Sequence, residues 1–219
     1  MYEGLTIHKE LLLRKITIKV TPVWCKKFWY DAKERTMVMA ELMNYFAYGS
    51  NLHPARLESR IGACQIAGVA QLERAALCFH KVGLDRSGKC DIVFRETDAT
   101  GVWGVVYQIS AAQKTILDQH ESLGEGYQIL KTRVVTRQNQ IFPVYTYQAM
   151  SDYIDQSMKP FDWYHDLVLQ GALFHGFPLD YLAQLQGVAM IQEHNPHRAS
   201  KHQRLLETIR DSHESKQAD

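Results

Sequence analysis

The chain lacks several features that define large classes of protein. Its 219 residues contain no apolar run near the roughly 20 residues that a membrane-spanning helix needs. The 25 lysine and arginine residues nearly match the 24 aspartate and glutamate residues, so bulk charge favours neither nucleic acid nor an anionic membrane as a partner. No internal repeat or low-complexity segment is present. With a hydrophobic fraction of 46%, the sequence predicts an ordinary globular protein.

Cysteine is also sparse, and its spacing excludes the common metal and disulfide patterns. The four cysteines are Cys25, Cys64, Cys78 and Cys90. They form no CxxC pair and no zinc spacing with histidine, so we interpret them as free thiols of a cytoplasmic protein. His194 and His197 flank Pro196 at a spacing that does not share a helical face, and no third ligand is evident. We therefore predict no metal site.

The N-terminal segment differs from the rest of the chain. Acidic residues interrupt it, which fits neither a signal peptide nor a mitochondrial presequence. We predict that residues 1–42 are either an extension outside the core or the result of a mis-chosen start codon. In the second case Met43 is the first residue. Residues 43–195 then form the main domain. Residues 196–219 form a polar C-terminal tail that packs loosely or frays, with helical spacing at Leu205, Leu206 and Ile209.

Strand and helix patterns alternate after residue 43. Strand-like composition covers residues 44–48, 65–80, 90–96, 102–109, 127–136 and 141–149. Helical patterns follow Pro54 and Ser110, the latter as an N-cap with Ile116 and Leu117 on the apolar side, and two more begin after Pro160 and Pro178. We predict an α+β fold with a small mixed or antiparallel sheet. Pattern alone does not decide between a barrel and an open sheet.

The stretch NYFAYGSNLHPARL ends an apolar strand in the tripeptide Gly49-Ser50-Asn51. Glycine allows a positive φ and close approach of a ligand to the main chain, and successive N–H groups at such a turn can bind an anion. A plain β-turn explains the same residues, because all three are common in turns. Ser50 is a poor candidate nucleophile, since the sequence has no G-x-S-x-G motif and no partner histidine is placed by spacing.

The stretch LDQHESLGEGY, residues 117–127, offers a candidate general base. A glutamate at the C-terminal end of a helix meets the negative end of the helix dipole, which favours its protonated form. Partial burial would act in the same direction and would suit acid–base work. An ordinary solvated glutamate explains the pattern equally well, and composition does not rank Glu121 above Glu125.

Taken in order, the segments YFAYGSNL, VWGVVY, LDQHE, the Gly-Tyr pair after it, Trp-Tyr and HGFPLDYLAQL resemble the γ-glutamylcyclotransferase family. The resemblance runs from about Tyr45 to about Gln192 and excludes the N-terminal segment. It implies a small β-barrel flanked by helices. It also implies an enzyme that releases 5-oxoproline from small γ-glutamyl amino acids or amides without metal or cofactor. The oligomeric state stays open, with a homodimer as one alternative.

The resemblance also implies roles for individual residues. Glu121 matches the catalytic glutamate of the family, and Glu125 is the fallback base. The substrate-binding positions that it implies are Tyr45, Phe46, Ala47, Tyr48, Gly49, Ser50, Asn51, Tyr127 and Tyr164. Ser122 stands where the family often has a glycine after the catalytic glutamate, and the spacing from Glu121 to Tyr127 also differs from the family pattern. Two alternatives remain: the same chemistry on γ-glutamylamines or another γ-glutamyl metabolite, and a non-catalytic ligand-binding domain of the same fold.

Overall fold

The computed structural model describes residues 42–97 and 100–217, with side chains as far as residue 211. The strands are β1 (Met43–Ala47), β2 (Gln65–Leu72), β3 (Ala75–Val82), β4 (Gly88–Phe94), β5 (Val102–Ile109), β6 (Tyr127–Thr136) and β7 (Ile141–Ala149). The α-helices are α1 (Pro54–Ile61), α2 (Ala111–His120), α3 (Asp162–Phe174), α4 (Leu179–Gln186) and α5 (Pro196–Gln217). Predictions about residues 1–41 lie outside the described residues.

Five strands close into a barrel in the order β1-β5-β2-β6-β7. All neighbouring pairs are antiparallel except β1 and β7, which meet in parallel at Tyr45 and Tyr145. The Phe46 side chain is fully buried, and a Cβ atom at Gly104 would lie 2.5 Å from its ring. Glycine at that position therefore leaves room for Phe46. The α+β fold and the barrel that the resemblance implied are confirmed.

Strands β3 and β4 form a separate antiparallel ribbon beside the barrel. The prediction of one strand over residues 65–80 was wrong, because Glu73 and Arg74 separate β2 from β3 and Arg74 has φ 53°. The ribbon is tied to the barrel by Asp91, whose Oδ1 accepts a hydrogen bond from the Ala149 N–H at 2.7 Å. The other carboxylate oxygen of Asp91 lies 2.8 Å from His80 Nε2. The bond from Ala149 to Asp91 therefore fixes the ribbon against the barrel, next to the candidate site.

Helix α2 begins as the sequence predicted. Ser110 is its N-cap, and Gln113 completes a capping box in which each side chain bonds the other residue's N–H. Leu117 is fully buried, whereas Ile116 is 42% exposed, so the prediction for Ile116 was wrong. Helix α1 has Pro54 in its first turn as expected, and the His53 side chain accepts a hydrogen bond from the Ala55 N–H.

Residues 196–217, which we predicted as a polar tail with helical spacing, form helix α5. Leu206 and Ile209 are buried on its inner face, and the helix packs against α3. The polar composition of this segment reflects its exposed face. A helix needs only a narrow apolar stripe to dock, so a mostly polar sequence does not exclude close packing.

Candidate active site

Glu121 is the C-cap of helix α2, at the end that the sequence predicted. The next residue, Ser122, has φ 51°, and its N–H bonds the Gln119 carbonyl while the Leu123 N–H bonds the Asp118 carbonyl. These two bonds form a Schellman motif, which ends the helix sharply. The motif fixes the backbone at Glu121 and so limits where its carboxylate can lie.

The Glu121 carboxylate is held through one of its oxygens. Oε1 accepts hydrogen bonds from Arg60 Nη1 at 2.7 Å and from Asn51 Nδ2 at 2.9 Å. Arg60 Nη1 also donates to Asn51 Oδ1 at 3.0 Å, and Asn51 Nδ2 donates to the Tyr45 hydroxyl at 3.1 Å. Within the described part of the chain, Oε2 of Glu121 has no hydrogen-bond partner. The bond from the Arg60 guanidinium is charge-assisted, and the free oxygen is available to a ligand.

The Gly49-Ser50-Asn51 tripeptide forms a turn in which the Leu52 N–H donates to the Gly49 carbonyl at 3.0 Å. Gly49 does not have a positive φ, so our conformational reason for glycine there was wrong. Space is the actual reason, because a Cβ atom at Gly49 would lie 3.0 Å from the Cβ of Cys90. No backbone carbonyl of the described residues accepts from the Ser50 or Asn51 N–H group. These two donors remain available for a ligand.

Buried tyrosines form the floor beside this turn. The Tyr127 hydroxyl donates to the Cys90 carbonyl at 2.6 Å, and the Tyr164 hydroxyl accepts from the Cys90 N–H at 3.1 Å. The Tyr48 hydroxyl donates to the Tyr147 carbonyl. Burial raises the pKa of these phenols well above its usual range and the pKa of the Cys90 thiol to about 12. The floor therefore stays neutral at ordinary pH and supplies fixed dipoles.

Two adjoining cavities open at Glu121. The larger has a volume of about 210 Å³, and the smaller, against the Gly49 turn, about 20 Å³. Four residues line both, namely Ser50, Glu121, Tyr127 and Tyr164. The combined space falls below the usual range of about 300–1,000 Å³ for ligand pockets, which limits an occupant to a small molecule.

Basic side chains line the larger cavity. Lys89 Nζ is paired with Asp85 at 2.8 Å, as Arg60 is with Glu121. Lys81 is only 6% exposed and lies over the Tyr127 ring, with Nζ 4.8 Å from the ring centroid. Burial lowers the pKa of Lys81, and the charges of Glu121 and Asp85 oppose that shift. Arg56 also lines the cavity, and burial lowers its pKa to about 10, which leaves it charged at neutral pH.

The structure brings most of the predicted site residues together. Those that line a cavity with Glu121 are Tyr45, Tyr48, Gly49, Ser50, Asn51, Tyr127 and Tyr164. Phe46 and Ala47 are fully buried in the barrel and line neither cavity. Glu125 is exposed and lies outside both. Their roles stay predictions, but the geometry favours Glu121 over Glu125 as the base.

Arg56, Arg60 and Lys81 were missed by sequence reasoning. Arg56 and Arg60 are four residues apart on α1, directly after the Gly49 turn, so they share a helical face. That spacing was a usable signal. The sequence signal for Lys81 was weaker, because Lys81 directly follows residues 65–80, which we predicted as a single strand.

Other candidates from the sequence do not assemble into sites. His194 and His197 are exposed. Over residues 42–97 and 100–217, no group of three potential metal ligands is present. None of the helices in these ranges combines the length and apolarity needed to cross a membrane.

Comparisons with known proteins place this arrangement in a family. The model of the AIG2-like family matches residues 101–185. γ-Glutamylcyclotransferase from Homo sapiens is 29% identical over 66% of this chain and 77% of its own length. A solved γ-glutamyl cyclotransferase structure superposes with a TM-score of 0.66 at 24% identity, covering 80% of this chain and 99% of that one, which shows the shared fold. γ-Glutamylcyclotransferase from Bos taurus is 30% identical over 66% of this chain and 77% of its own length, and this chain therefore belongs to the γ-glutamylcyclotransferase family.

Proposed function

We propose that the protein is a γ-glutamyl cyclotransferase, which releases 5-oxoproline and a free amino acid or amine from a small γ-glutamyl substrate. The observation that carries this proposal is the Glu121 carboxylate, bound through Oε1 to Arg60 and Asn51 with Oε2 free beside the Ser50 turn. The names of the curated relatives support the same reaction. The free thiols of Cys64 and Cys90 suit the cytoplasmic location that we expect.

In the proposed reaction the substrate's own α-amino nitrogen attacks its γ-carbonyl carbon. Oε2 of Glu121 first accepts a proton from the α-ammonium group, which gives the nitrogen a free electron pair. The new C–N bond closes a five-membered lactam, and the original amide C–N bond breaks. Glu121 then donates its proton to the departing amine, so one group serves as base and then as acid. This scheme needs no protein nucleophile.

Geometry supplies a second contribution to the rate. Well-oriented intramolecular reactions reach effective molarities of about 10⁵–10⁸ M, and a pocket that folds the flexible γ-glutamyl chain exploits this. The Ser50 and Asn51 N–H groups are suited either to the substrate carboxylate or to the oxyanion that forms on the γ-carbonyl. Arg60 and Asn51 act as positioning residues, because they fix one carboxylate oxygen and leave the other for the substrate.

A non-catalytic binding domain on the same fold is the alternative from another class, since fold alone does not set function. A domain that only binds the ligand does not require a proton acceptor with one free oxygen at the cavity junction. Such an arrangement favours an enzyme.

The proposal is tested with γ-Glu-Ala, glutathione and γ-glutamylamines as substrates and 5-oxoproline as the detected product. We expect 5-oxoproline from at least one of them, released in equal amount with the free amine or amino acid. If the folded protein binds one of these compounds, seen as a rise in Tm, but forms no 5-oxoproline from any, the binding-domain alternative is correct.

A further inference from the structure

The larger cavity contains two cationic side chains that lack an acidic partner. Among the described residues, no carboxylate lies within ion-pair distance of Lys81 or Arg56. Lys81 is 6% exposed, and Arg56 Nε is buried with no hydrogen-bond partner. Buried charges are normally paired, because desolvation of an isolated charge is costly. Neither cation therefore has an ion-pair partner among the described residues, and an anionic group of a ligand can take that place.

The charge of the cavity lining supports the same conclusion. Its basic residues are Arg56, Arg60, Lys81 and Lys89, and its acidic residues are Asp85 and Glu121. Two of the four cations form ion pairs, Arg60 with Glu121 and Lys89 with Asp85. With histidine neutral, the lining keeps the uncompensated charge of Lys81 and Arg56. An anionic ligand group would be attracted to this space.

The position of the two cations relative to Glu121 indicates which part of the substrate they meet. The Gly49 turn lines the smaller cavity, while Lys81 and Arg56 line only the larger. Glu121 lies at the junction of the two. If the γ-glutamyl group occupies the side of the Gly49 turn and the scissile amide meets Glu121, the leaving group extends toward Lys81 and Arg56.

We propose that Lys81 and Arg56 bind the carboxylate of the leaving group, so that the enzyme selects γ-glutamyl substrates whose leaving amine carries an acid group. This inference rests on the proposed function and chooses between the amino acid and amine substrates that it leaves open. A neutral leaving amine would leave the buried Lys81 and the partly buried Arg56 without an ion-pair partner, which disfavours its complex. The glycine at position 126 fits this role, because a Cβ atom there would lie 2.8 Å from Lys81 Nζ and would displace it.

The test uses two substrates of nearly equal shape, γ-Glu-Ala and γ-Glu-alaninamide, which differ in the charge of the leaving group. The measured quantity is the ratio of their kcat/KM values for 5-oxoproline release. We expect wild type to prefer γ-Glu-Ala, and Lys81→Met to reduce that preference by about tenfold to a hundredfold, the range for a hydrogen bond to a charged group. The loss should appear mainly in KM, and Lys81→Arg should restore much of the preference.

Lys131→Met is the matched control, because Lys131 is exposed on β6 and lies outside both cavities. It should leave the ratio unchanged. Equal rates on both substrates in wild type, or an equal loss on both in Lys81→Met, would overturn the carboxylate assignment while leaving the cyclotransferase proposal intact. Failure of wild type to form 5-oxoproline from either substrate would instead count against the proposed function itself. A Lys81→Met chain that does not fold leaves the wild-type ratio and the Lys81→Arg ratio to decide.

Discussion

At the scale of single residues, Ser122 occupies a position that favours glycine. It follows the C-cap Glu121 with φ 51° and makes the two-bond Schellman arrangement together with Leu123. An L-residue in this left-handed conformation costs roughly 1–2 kcal/mol, which explains why glycine is preferred there. The serine that departs from the family pattern therefore keeps the motif geometry and carries a local strain next to the proposed base.

We predict that Ser122→Gly raises the free energy of unfolding by about 1 kcal/mol, because glycine adopts the positive φ without strain. Urea denaturation of the purified protein measures this change. Ser122→Ala is the matched control, since it removes the hydroxyl and keeps the Cβ atom, and it should give no gain. A gain of the same size in Ser122→Ala would show that the hydroxyl, not the backbone, is the source of the strain.

Individual site residues were predictable to different degrees. Glu121 and the Gly49 turn have local sequence signals, namely a helix end and a strand end. The bonds from Arg60 and Asn51 to Glu121 join residues that are 61 and 70 positions apart along the chain, so no local pattern reports them. The lack of an acidic partner for Lys81 likewise depends on the packing of a ribbon against the barrel.

At the scale of elements, helix α5 supports one wall of the larger cavity. His202 of α5 stacks on Trp163 of α3 with ring centroids 3.6 Å apart and planes within 5°. Trp163 lines the cavity on its other side. Burial, assisted by the positive charges of Arg56, Lys201 and Lys89 and opposed by Asp85, lowers the pKa of His202 to about 4. The C-terminal helix is therefore coupled to the site through a neutral imidazole.

This coupling predicts a pH dependence of stability. The unfolded chain binds a proton at His202 below about pH 6.5, whereas the folded chain does so only near pH 4. The contribution is complete above the unfolded value and is lost as the pH falls toward the folded value, by at most about 3 kcal/mol. His202→Phe keeps an aromatic ring on Trp163, so its unfolding free energy should fall less between pH 7 and pH 4.5.

The measurement is urea denaturation at both pH values, with His197→Gln as the control because His197 is exposed on the same helix. The control should show the wild-type fall. An identical fall in wild type and His202→Phe would contradict the assignment to His202.

Element prediction succeeded where capping or alternation is strong. The N-cap at Ser110 and the strands over residues 127–136 and 141–149 were predicted because their local patterns are clear. The break between β2 and β3 was missed because Glu73-Arg74 contains neither glycine nor proline, and Arg74 adopts a positive φ that its residue type does not signal. Helix α5 was underestimated because its buried face is narrow.

At the scale of the whole molecule, every residue of the candidate site lies between Tyr45 and Tyr164. Strand closure between β1 and β7 and the neighbouring ribbon bring these residues together. Pattern reasoning did not decide that the sheet closes, because closure depends on pairing between the first and last strands of the barrel. The resemblance to a family supplied that information.

We predict that a protein beginning at Met43 is produced in soluble form and keeps the kcat/KM of the full chain on γ-Glu-Ala. The reason is that the first barrel strand begins at Met43 and the site residues follow it. Parallel expression and kinetic assay of the two proteins make the comparison. An insoluble or inactive shorter protein would refute the proposal that residues 1–42 lie outside the functional core.

The most direct test of the central claim is the rate of 5-oxoproline release by Glu121→Gln. This change keeps the shape of the side chain and removes its ability to accept the substrate proton, so kcat should fall by at least about a hundredfold while the Tm shows a folded protein. Glu125→Gln is the matched control and should keep the wild-type rate, because Glu125 is exposed outside both cavities. Full activity in Glu121→Gln together with loss in Glu125→Gln would contradict the account.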